Sequence, residues 1–323
     1  MLVLVTGGAG YIGSVTVAQM LEAGYEVRVL DSLLYDNAYV VETLRERGLS
    51  DFIRGDIRDA DVLLKAMRGV DAVLHLAALV GAPVCDKDPD LTMRVNYEAT
   101  KLIADLCQKL DVDRLVFASS TSVYGNLGDL PMVDEEGPCR PISLYARTKL
   151  MAEEYLLEKS QGEGLPVCCL RVATNYGPSL RPRFDLVVNR FVKMALREKR
   201  LEVFGGEQWR PFINTHDTAR AYLTVLEAPL GRIKGEIYNV GSTSENYRII
   251  DVARLVVEAV PGTRIEVKKK EKDPRSYRVS FEKIRSRLGF EPEKTLVEGI
   301  EELISFVEEV PDPEDRRYYN YIP

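Results

Sequence analysis

The sequence has few histidines and cysteines, and both shortages limit the chemistry it can perform. Only two histidines occur in 323 residues, which argues against a catalytic triad built on histidine. The cysteines are odd in number and scattered, and their spacing matches no metal site. We therefore predict no metal centre and reduced thiols, as in a cytosolic protein. The five cysteines are Cys85, Cys107, Cys139, Cys168 and Cys169.

Long apolar runs and an excess of positive charge are also missing. No apolar run approaches the ~18–20 residues that span a bilayer, so we predict no membrane segment. The net charge of −7 argues against a nucleic-acid or membrane-surface partner. Because the first predicted strand begins at Leu2, we expect no signal peptide and a cytoplasmic location.

What the sequence does contain begins with a strand, a glycine turn and a helix over Met1–Gly13. Leu2–Val5 is a continuous apolar run, as expected of a strand buried on both faces of a parallel sheet. Gly7, Gly10 and Gly13 follow, and helical periodicity begins after them. Glycines in this setting leave the helix N-terminus open to a pyrophosphate, so the stretch predicts a dinucleotide site.

Alternating strand and helix patterns continue through most of the chain, and Asp31 ends the second predicted strand. This position, about 20 residues beyond the glycines, is where a carboxylate holds the adenosine ribose hydroxyls. A carboxylate there repels the additional phosphate of NADP, so we predict NAD as the cofactor. The predicted fold is α/β, a Rossmann-type doubly wound parallel sheet with a smaller C-terminal α/β domain.

Catalytic chemistry is predicted from two stretches in the middle of the chain. The buried strand Arg114–Ser119 ends in a cluster of hydroxyl side chains, Ser119–Ser122. Further on, Tyr145 and Lys149 are separated by four residues in a helical stretch and therefore share one face of the helix. A nearby ammonium and a positive nicotinamide ring would favour the phenolate and lower the pKa of Tyr145 towards neutrality. His75, within an apolar strand, is interpreted as structural.

These features together resemble the extended short-chain dehydrogenase/reductases that act on nucleotide sugars, the NAD-dependent epimerase/dehydratase group, and most closely its UDP-hexose 4-epimerase type. The resemblance covers nearly the whole chain. Its marks are Thr6-Gly7-x-x-Gly10-x-x-Gly13, Asp31, Asp56-Ile57, His75-Leu76-Ala77-Ala78, Asn96, Ser119-Ser120, Tyr145-x-x-x-Lys149 and Tyr176-Gly177-Pro178.

The resemblance implies a role for each matched position. Tyr145 would be the general base and acid at the sugar hydroxyl, Lys149 would hold the nicotinamide ribose, and Ser120 would hydrogen-bond the same sugar oxygen. The implied cofactor-binding residues are Gly7, Gly10, Tyr11, Ile12, Gly13, Asp31, Asp56, Ile57, Leu76, Ala77, Ala78, Asn96, Tyr145 and Lys149. The implied substrate-binding residues are Ser120, Thr121, Ser122, Thr174, Asn175, Asn189, Phe204, Arg210 and Arg275.

Departures from the family pattern narrow the predicted reaction. Sugar 4,6-dehydratases carry an Asp-Glu pair at the positions of Thr121 and Ser122, the decarboxylating relatives keep a Glu at the latter, and the reductase-epimerases use a Cys there. Without these groups, Tyr145, Lys149, Ser120 and NAD suffice for epimerisation at sugar C4 through a transient 4-keto sugar, with UDP-glucose and UDP-galactose favoured. Another nucleotide-sugar oxidoreductase (4-keto reductase, decarboxylase or dehydratase) and a non-catalytic NAD(H) sensor remain as alternatives.

Other departures affect the substrate side and the domain plan. Thr174 replaces the usual Asn, and Arg210–Asn214 lacks the usual acid and histidine, while Asp217 is interpreted as a cap of a helix over Thr218–Leu226. We predict an NAD-binding domain of residues 1–173 and 212–242, and a nucleotide-sugar domain of residues 174–211 and 243–323. The resemblance implies a homodimer through the helices around Asn96–Leu110 and Tyr145–Lys159. The role of the tail, Pro311–Pro323, is not readable from the sequence.

Overall fold

The computed structural model of the protein describes residues 1–127, 132–268 and 274–321. Strands and helices alternate along most of the first 240 residues, as the sequence predicts. The strands are β1 (Leu2–Thr6), β2 (Glu26–Asp31), β3 (Asp51–Arg54), β4 (Ala72–His75), β5 (Arg114–Ser120), β6 (Val167–Val172), β7 (Thr174–Tyr176), β8 (Arg200–Phe204), β9 (Trp209–Asn214), β10 (Glu236–Val240), β11 (Asn246–Arg248) and β12 (Arg264–Lys268).

The helices connect these strands and cover both faces of the main sheet. They are α1 (Tyr11–Glu22), α2 (Ala38–Glu46), α3 (Ala60–Met67), α4 (Ala82–Lys87), α5 (Pro89–Met93), α6 (Ala99–Lys109), α7 (Leu144–Glu163), α8 (Val187–Glu198), α9 (Thr215–Glu227), α10 (Leu230–Ile233), α11 (Ile249–Ala259), α12 (Glu282–Leu288) and α13 (Leu296–Glu309). A π-helical turn, Arg94–Glu98, joins α5 to α6, and short 3₁₀ turns lie at Thr121–Tyr124 and Arg316–Tyr318.

The main sheet has seven strands in the order β10-β6-β5-β4-β1-β2-β3. All neighbouring strands in it are parallel. The strand order reverses between β1 and β4, which creates a crevice at the carboxyl ends of the strands, where open α/β sheets bind ligands. The predicted doubly wound fold is therefore confirmed, including the return of Glu236–Val240 to this sheet.

The first strand explains why its sequence is apolar without alternation. Val3 and Val5 belong to one hydrophobic cluster, and Leu4 belongs to another on the opposite face of the sheet. Successive side chains of a strand point to opposite faces, so a strand covered on both sides needs apolar residues at every position. All three side chains are fully buried, and each such burial stabilises the fold by roughly 1.5–3 kcal/mol.

Two smaller sheets lie beyond the main one. β11, β9 and β7 form a three-stranded sheet, and β12 pairs with β8 in parallel. A third hydrophobic cluster holds α8, α11 and α13 together. Tyr277, Val279 and Phe281 instead join the cluster of the main sheet, although they lie in the segment that we predicted as part of the second domain. The predicted domain boundaries stay a prediction.

Two predicted helices differ from the structure. The pattern of Leu91–Leu110 predicts one long helix, but the π turn interrupts it, and the side chain of Asn96 in this turn bonds both the amide and the carbonyl of Leu79. The helix predicted from Thr218 begins at Thr215, so Asp217 is not its cap. Asn214 is the cap, since its side chain accepts a hydrogen bond from the amide of His216. Asp217 accepts instead from the amides of Glu293 and Lys294.

The lengths and polarities of the helices bear on the prediction that the chain has no membrane segment. In the described ranges, none of the helices is both long enough and apolar enough to cross a lipid bilayer.

Candidate active site

The glycine turn between β1 and α1 forms the first wall of the site. Gly7 has φ +72°, and a Cβ there would lie 2.8 Å from the amide nitrogen of Ala77. A Cβ on Gly13 would lie 2.1 Å from the carbonyl oxygen of Gly7. Helix α1 begins directly after Gly10, with no side-chain cap among the described residues, so its first amides face an open space. These features fit the pyrophosphate of a dinucleotide.

Asp31, at the end of β2, is held next to this turn. Its carboxylate accepts hydrogen bonds from the amides of Ala9 at 3.0 Å and Leu33 at 2.8 Å. Burial raises the pKa of Asp31, and the two amides and the charge of Arg181 oppose that rise. The carboxylate therefore fixes the glycine turn and also lines the cavity, where it can accept from ribose hydroxyls.

Asp56, predicted at the adenine, has a partner that the sequence analysis missed. Its carboxylate accepts three hydrogen bonds from the guanidinium of Arg58, the shortest from Nη2 at 2.6 Å, and one from the amide of Arg58, and this guanidinium lowers the pKa of Asp56. Arg58 lies two residues away and also lines the cavity. The alternation of acid and base in Asp56-Ile57-Arg58 was the signal that could have revealed it.

Ser120, Tyr145 and Lys149 meet where β5 ends against the start of α7. Nζ of Lys149 donates to the carbonyl of Ala118 at 2.7 Å and lies 4.6 Å from the ring centroid of Phe117. Oγ of Ser120 accepts from the amide of Ser122 at 3.2 Å and from its hydroxyl at 2.9 Å. The proton of Ser120 therefore remains for the phenol of Tyr145 or for a substrate oxygen.

The sequence analysis expects an ammonium and a nicotinamide ring to lower the pKa of Tyr145. In the protein by itself, burial has the larger effect on the pKa of this residue. Burial raises the pKa of Tyr145 to about 12, although a hydrogen bond from Ser120 and the charge of Arg183 oppose this. Burial also lowers the pKa of Lys149 to about 8. The protein by itself thus keeps Tyr145 as a neutral phenol at pH 7, and any lowering of its pKa must come from further positive charge.

A carboxylate behind Lys149 was missed by the sequence analysis. Glu153 follows Lys149 by four residues on the same face of α7 and is 1% exposed. It accepts from Arg171 on β6 at 2.8 Å and from the hydroxyl of Ser119. The continued four-residue spacing after Tyr145 and Lys149 was the available signal.

A cavity of about 780 Å³ connects these groups. It brings together every predicted cofactor and substrate residue except two. The predicted residues in its wall are Gly7, Gly10, Tyr11, Ile12, Gly13, Asp31, Asp56, Ile57, Leu76, Ala77, Ala78, Ser120, Thr121, Ser122, Tyr145, Lys149, Thr174, Asn175, Phe204, Arg210 and Arg275.

Asn96 and Asn189 lie behind the wall of this cavity rather than in it. The amide of Asn96 holds the backbone of Leu79 and the hydroxyl of Thr148. The amide of Asn189 holds the Tyr11 phenol at 3.1 Å and the backbone of Gly177. Both asparagines are at most 2% exposed, because their polar atoms are used to position the loops that form the wall.

The opposite side of the cavity is rich in arginine. Arg210 donates to the carbonyls of Trp209 and Arg275, and lies over the ring of Tyr277. Phe204 is part of the wall and lies beneath the guanidinium of Arg190 at 5.5 Å. Arg275 belongs to the segment Asp273-Pro274-Arg275-Ser276, which the family resemblance assigns to the substrate side. Asp273 lies outside the described residues. The sequence analysis did not assign Arg181, Arg183, Asp185 or Arg190, which also line the cavity.

The C-terminal tail packs beside the cavity within the same chain. The carbonyl of Tyr318 accepts from the amide of Phe184 at 3.0 Å, and the rings of Tyr318 and Phe184 meet edge to face. Asn320 and Tyr321 are part of the cavity wall. The tail, whose role was not readable from the sequence, therefore covers one end of the candidate site.

Known structures are similar to this chain over nearly its whole length. A UDP-glucose 4-epimerase of Thermus thermophilus, solved with NAD, is 30% identical, with 96% of this chain and 99% of that one covered and a TM-score of 0.82. The UDP-glucuronic acid 4-epimerase of Bacillus cereus, solved with UDP-glucuronic acid and NAD, is 28% identical over 96% and 99% of the two chains, with a TM-score of 0.86. The dTDP-glucose 4,6-dehydratase DesIV of Streptomyces venezuelae is 29% identical over 99% of both chains, with a TM-score of 0.85.

The family comparison agrees with the site. Residues 3–241 match the model of the NAD dependent epimerase/dehydratase family. This span contains the glycine turn, Asp31 and the Ser120, Tyr145 and Lys149 group, and no cluster suited to a metal ion occurs among the described residues. The chain is therefore an enzyme of the NAD dependent epimerase/dehydratase family, within the extended short-chain dehydrogenase/reductases.

Proposed function

We propose that this enzyme inverts the C4 hydroxyl of a nucleotide-activated hexose, with UDP-glucose and UDP-galactose as the favoured pair. One observation carries the proposal. The cavity wall beside Ser120 and Tyr145 is completed by the hydroxyls of Thr121 and Ser122, and neither position carries the carboxylate that elimination of water requires. Proton transfer through a single tyrosine is sufficient for epimerisation.

The residues have separable tasks in this reaction. NAD⁺, when bound at the glycine turn, supplies a hydride acceptor that can later return the hydride to the sugar. Oη of Tyr145 takes the proton of the C4 hydroxyl as that carbon becomes a ketone, and gives it back on reduction. Oγ of Ser120 donates a hydrogen bond to the same sugar oxygen. Lys149, held by the carbonyl of Ala118, contributes positive charge near Tyr145.

The opposite wall provides recognition of the nucleotide diphosphate. Arg210 and Arg275 both line the cavity. Guanidinium groups bind phosphate oxygens through two hydrogen bonds at once, which favours a diphosphate at this end. Phe204 offers an aromatic ring at the same end for packing on a base.

The experiment offers UDP-glucose, UDP-galactose, UDP-glucuronic acid and dTDP-glucose separately to the purified enzyme and identifies products by NMR. We expect one product inverted at C4, with no net change in NADH absorbance because the reaction is redox-neutral. A 6-deoxy-4-keto product, release of CO₂ or net consumption of NADH would contradict epimerisation. Each of these results would indicate one of the alternative oxidoreductase activities instead.

A matched pair of variants separates an enzyme from an NAD(H) sensor. Tyr145→Phe removes only the proposed proton carrier and should lower kcat at least about 10²-fold, the lower limit for losing acid–base catalysis, while NAD binding remains. Tyr155→Phe, on the same helix but bonded to Asp105, is the control and should keep full activity. Equal activity of both variants would exclude the proposed role of Tyr145.

The homodimer and the cytoplasmic location remain predictions. Tyr97 in the π turn and Tyr155 on α7 meet at 6.4 Å between ring centroids, and Lys101 of α6 lies over both rings. This aromatic group lies on the helices predicted to form the interface and therefore supports the dimer. Sedimentation equilibrium tests the prediction, since a monomer at all concentrations would contradict it.

A further inference from the structure

Arg181 is a buried cation without a complete set of partners in the cavity wall. It is 2% exposed, and within the described part of the chain its Nε and Nη2 have no hydrogen-bond partner. Its guanidinium carbon lies 4.0 Å from the ring centroid of Tyr35, which stacks on it. Unpaired buried donors on a charged group are costly, so such a group indicates a missing anionic partner.

The loop that carries Arg181 is fastened to the start of helix α1. Oγ of Ser179 donates to the carbonyl of Tyr11 at 2.7 Å and accepts from the amide of Arg181 at 3.1 Å. The phenol of Tyr11 donates to the carbonyl of Gly177 at 2.9 Å. These bonds fix Arg181 relative to the open amides at the N-terminus of α1.

No carboxylate among the described residues forms an ion pair with Arg181, although the charge of Asp185 acts on it. The neighbouring Arg183 is paired with Asp185 through two hydrogen bonds, at 3.1 and 2.5 Å. Burial and the charge of Arg183 lower the pKa of Arg181 to about 10, which still leaves it protonated at pH 7. The charge of Arg181 also acts on Asp31, the carboxylate that holds the glycine turn.

We propose that Arg181, held beside the start of α1, binds the phosphate oxygens of the dinucleotide. The amides of α1 and the guanidinium then both contact the diphosphate, and the bound phosphates supply the partners that Nε and Nη2 lack. The loop that carries Arg181 belongs to residues 174–211, the first part of the predicted nucleotide-sugar domain. This loop would in this way cover the cofactor. The inference rests on the proposed binding of NAD at the glycine turn and is independent of the reaction at C4.

The test compares phosphate-bearing and phosphate-free probes in the full-length protein by calorimetry. Arg181→Met keeps most of the side-chain volume and removes the charge. We expect this variant to bind NAD⁺ and ADP about 10–100-fold more weakly, the loss typical of hydrogen bonds to a charged group. Its affinity for adenosine should stay within about twofold, because adenosine has no phosphate. Equal weakening for ADP and adenosine, or no weakening for either, would overturn the proposal.

Two further variants complete the design. Arg190→Met removes another cation of the same cavity wall, near Phe204, and should leave ADP affinity unchanged within about twofold if position rather than general charge matters. Arg181→Lys keeps a charge but loses the planar fork, so its ADP affinity should lie between those of the native protein and Arg181→Met.

Stability of the protein without ligand distinguishes binding from a purely structural role. Replacing a cation that lacks partners by methionine should keep or raise the Tm of the ligand-free protein, while the increase in Tm on adding ADP becomes smaller. A ligand-free Arg181→Met protein that is unfolded or clearly less stable would contradict the proposal, because the guanidinium would then serve the fold. Failure of epimerisation alone would not affect either measurement.

Discussion

Glu153 and Arg171 form a buried ion pair directly behind Lys149. The two side chains are 1% and 4% exposed, and Nη2 of Arg171 donates to the carboxylate at 2.8 Å. Arg171 lies opposite Ser119 in the pairing of β6 with β5, and Glu153 bonds both of them from α7. The pair therefore ties the catalytic helix to the strand that ends at Ser120. The charge of Glu153 also raises the pKa of Lys149 against the effect of burial.

Removing one partner of this pair should destabilise the protein strongly. Arg171→Met leaves Glu153 buried and unpaired, and we expect a loss of about 3–5 kcal/mol in the free energy of unfolding, measured by urea denaturation. The double variant Arg171→Met with Glu153→Leu should recover most of that loss, since no lone charge remains. Arg317→Gln, which breaks the exposed pair with Asp315, is the control and should cost at most about 1 kcal/mol. A loss of that small size for Arg171→Met would contradict the assigned role.

The ionisation of Tyr145 should depend on the cofactor. The pKa of about 12 means that the phenol is neutral at pH 7 in the protein alone, and a bound positive nicotinamide ring should favour the phenolate. We expect the apparent pKa to fall on adding NAD⁺, and the rate of sugar oxidation to rise with pH up to that value. The absorbance of phenolate near ~295 nm in native protein minus that in Tyr145→Phe isolates this residue from the other tyrosines.

The charge of Lys149 should contribute to the same effect. Lys149→Met should raise the apparent pKa of Tyr145 in the complex with NAD⁺, whereas Lys159→Met, on the same helix α7 but paired with Asp105 of α6, should not. An unchanged pKa in Lys149→Met would assign this lysine to positioning alone.

His75 should make the stability of the protein fall at acid pH. Burial lowers its pKa from 6.5 to about 3, and both ring nitrogens are hydrogen-bonded, to Thr6 at 2.8 Å and Thr100 at 3.0 Å. The hydroxyl of Thr100 already donates to the carbonyl of Asn96, so it accepts from Nε2–H of a neutral imidazole. The unfolded chain therefore binds the proton more readily than the folded one.

The direction in which pH changes the stability follows from this difference in the pKa of His75 between the folded and unfolded chain. The contribution of His75 is fully present above pH 6.5 and is lost as the pH falls towards about 3, with a slope of up to about 1.4 kcal/mol per pH unit. His75→Gln should flatten the pH dependence of the free energy of unfolding in this window relative to the native protein. His216→Gln, which changes the exposed histidine, should leave the native slope unchanged. Parallel curves for native protein and His75→Gln would contradict the assignment.

Substitution by alanine should have opposite effects on the stability of the protein at Gly13 and at Gly162. A Cβ on Gly13 would overlap the carbonyl oxygen of Gly7, whereas a Cβ on Gly162, near the end of α7, would meet nothing within 4 Å. Gly13→Ala should cost about 1–3 kcal/mol of strain and weaken NAD⁺ binding by at least about tenfold. Gly162→Ala should stabilise the protein by about 0.5–1 kcal/mol with unchanged NAD⁺ affinity. Thermal unfolding and calorimetry on both variants measure these effects.

Much of the site could be predicted because its residues lie at strand ends. In a parallel sheet the carboxyl ends of all strands meet at one edge, so Asp31 after β2 and Ser120 at the end of β5 had to face the same crevice. The four-residue spacing of Tyr145 and Lys149 fixed their common helical face in the same way. The substrate side could be approached only through family resemblance, because its residues come from separate loops and small sheets.

The contacts that the sequence did not reveal share a physical cause. Asn96 and Asn189 belong to the family pattern, yet their amides are used to hold backbone, which no local pattern reveals. Asp217 was interpreted as a helix cap because a helix start can shift by a few residues with little change in sequence signal. The partner of Glu153 lies 18 positions away on another strand, so the buried pair was invisible to local spacing.

The sequence by itself determined the parallel sheet, the glycine turn and the shared helical face of Tyr145 and Lys149, since apolar runs, glycine positions and helical spacing act through local geometry. Only the tertiary structure decided how the ionisable groups behave. Burial raises the pKa of Tyr145, lowers that of Lys149 and leaves Arg181 without a full set of partners among the residues described. Desolvation depends on everything that surrounds a group, and the elements around this cavity come from residues as far apart as Gly7 and Tyr321.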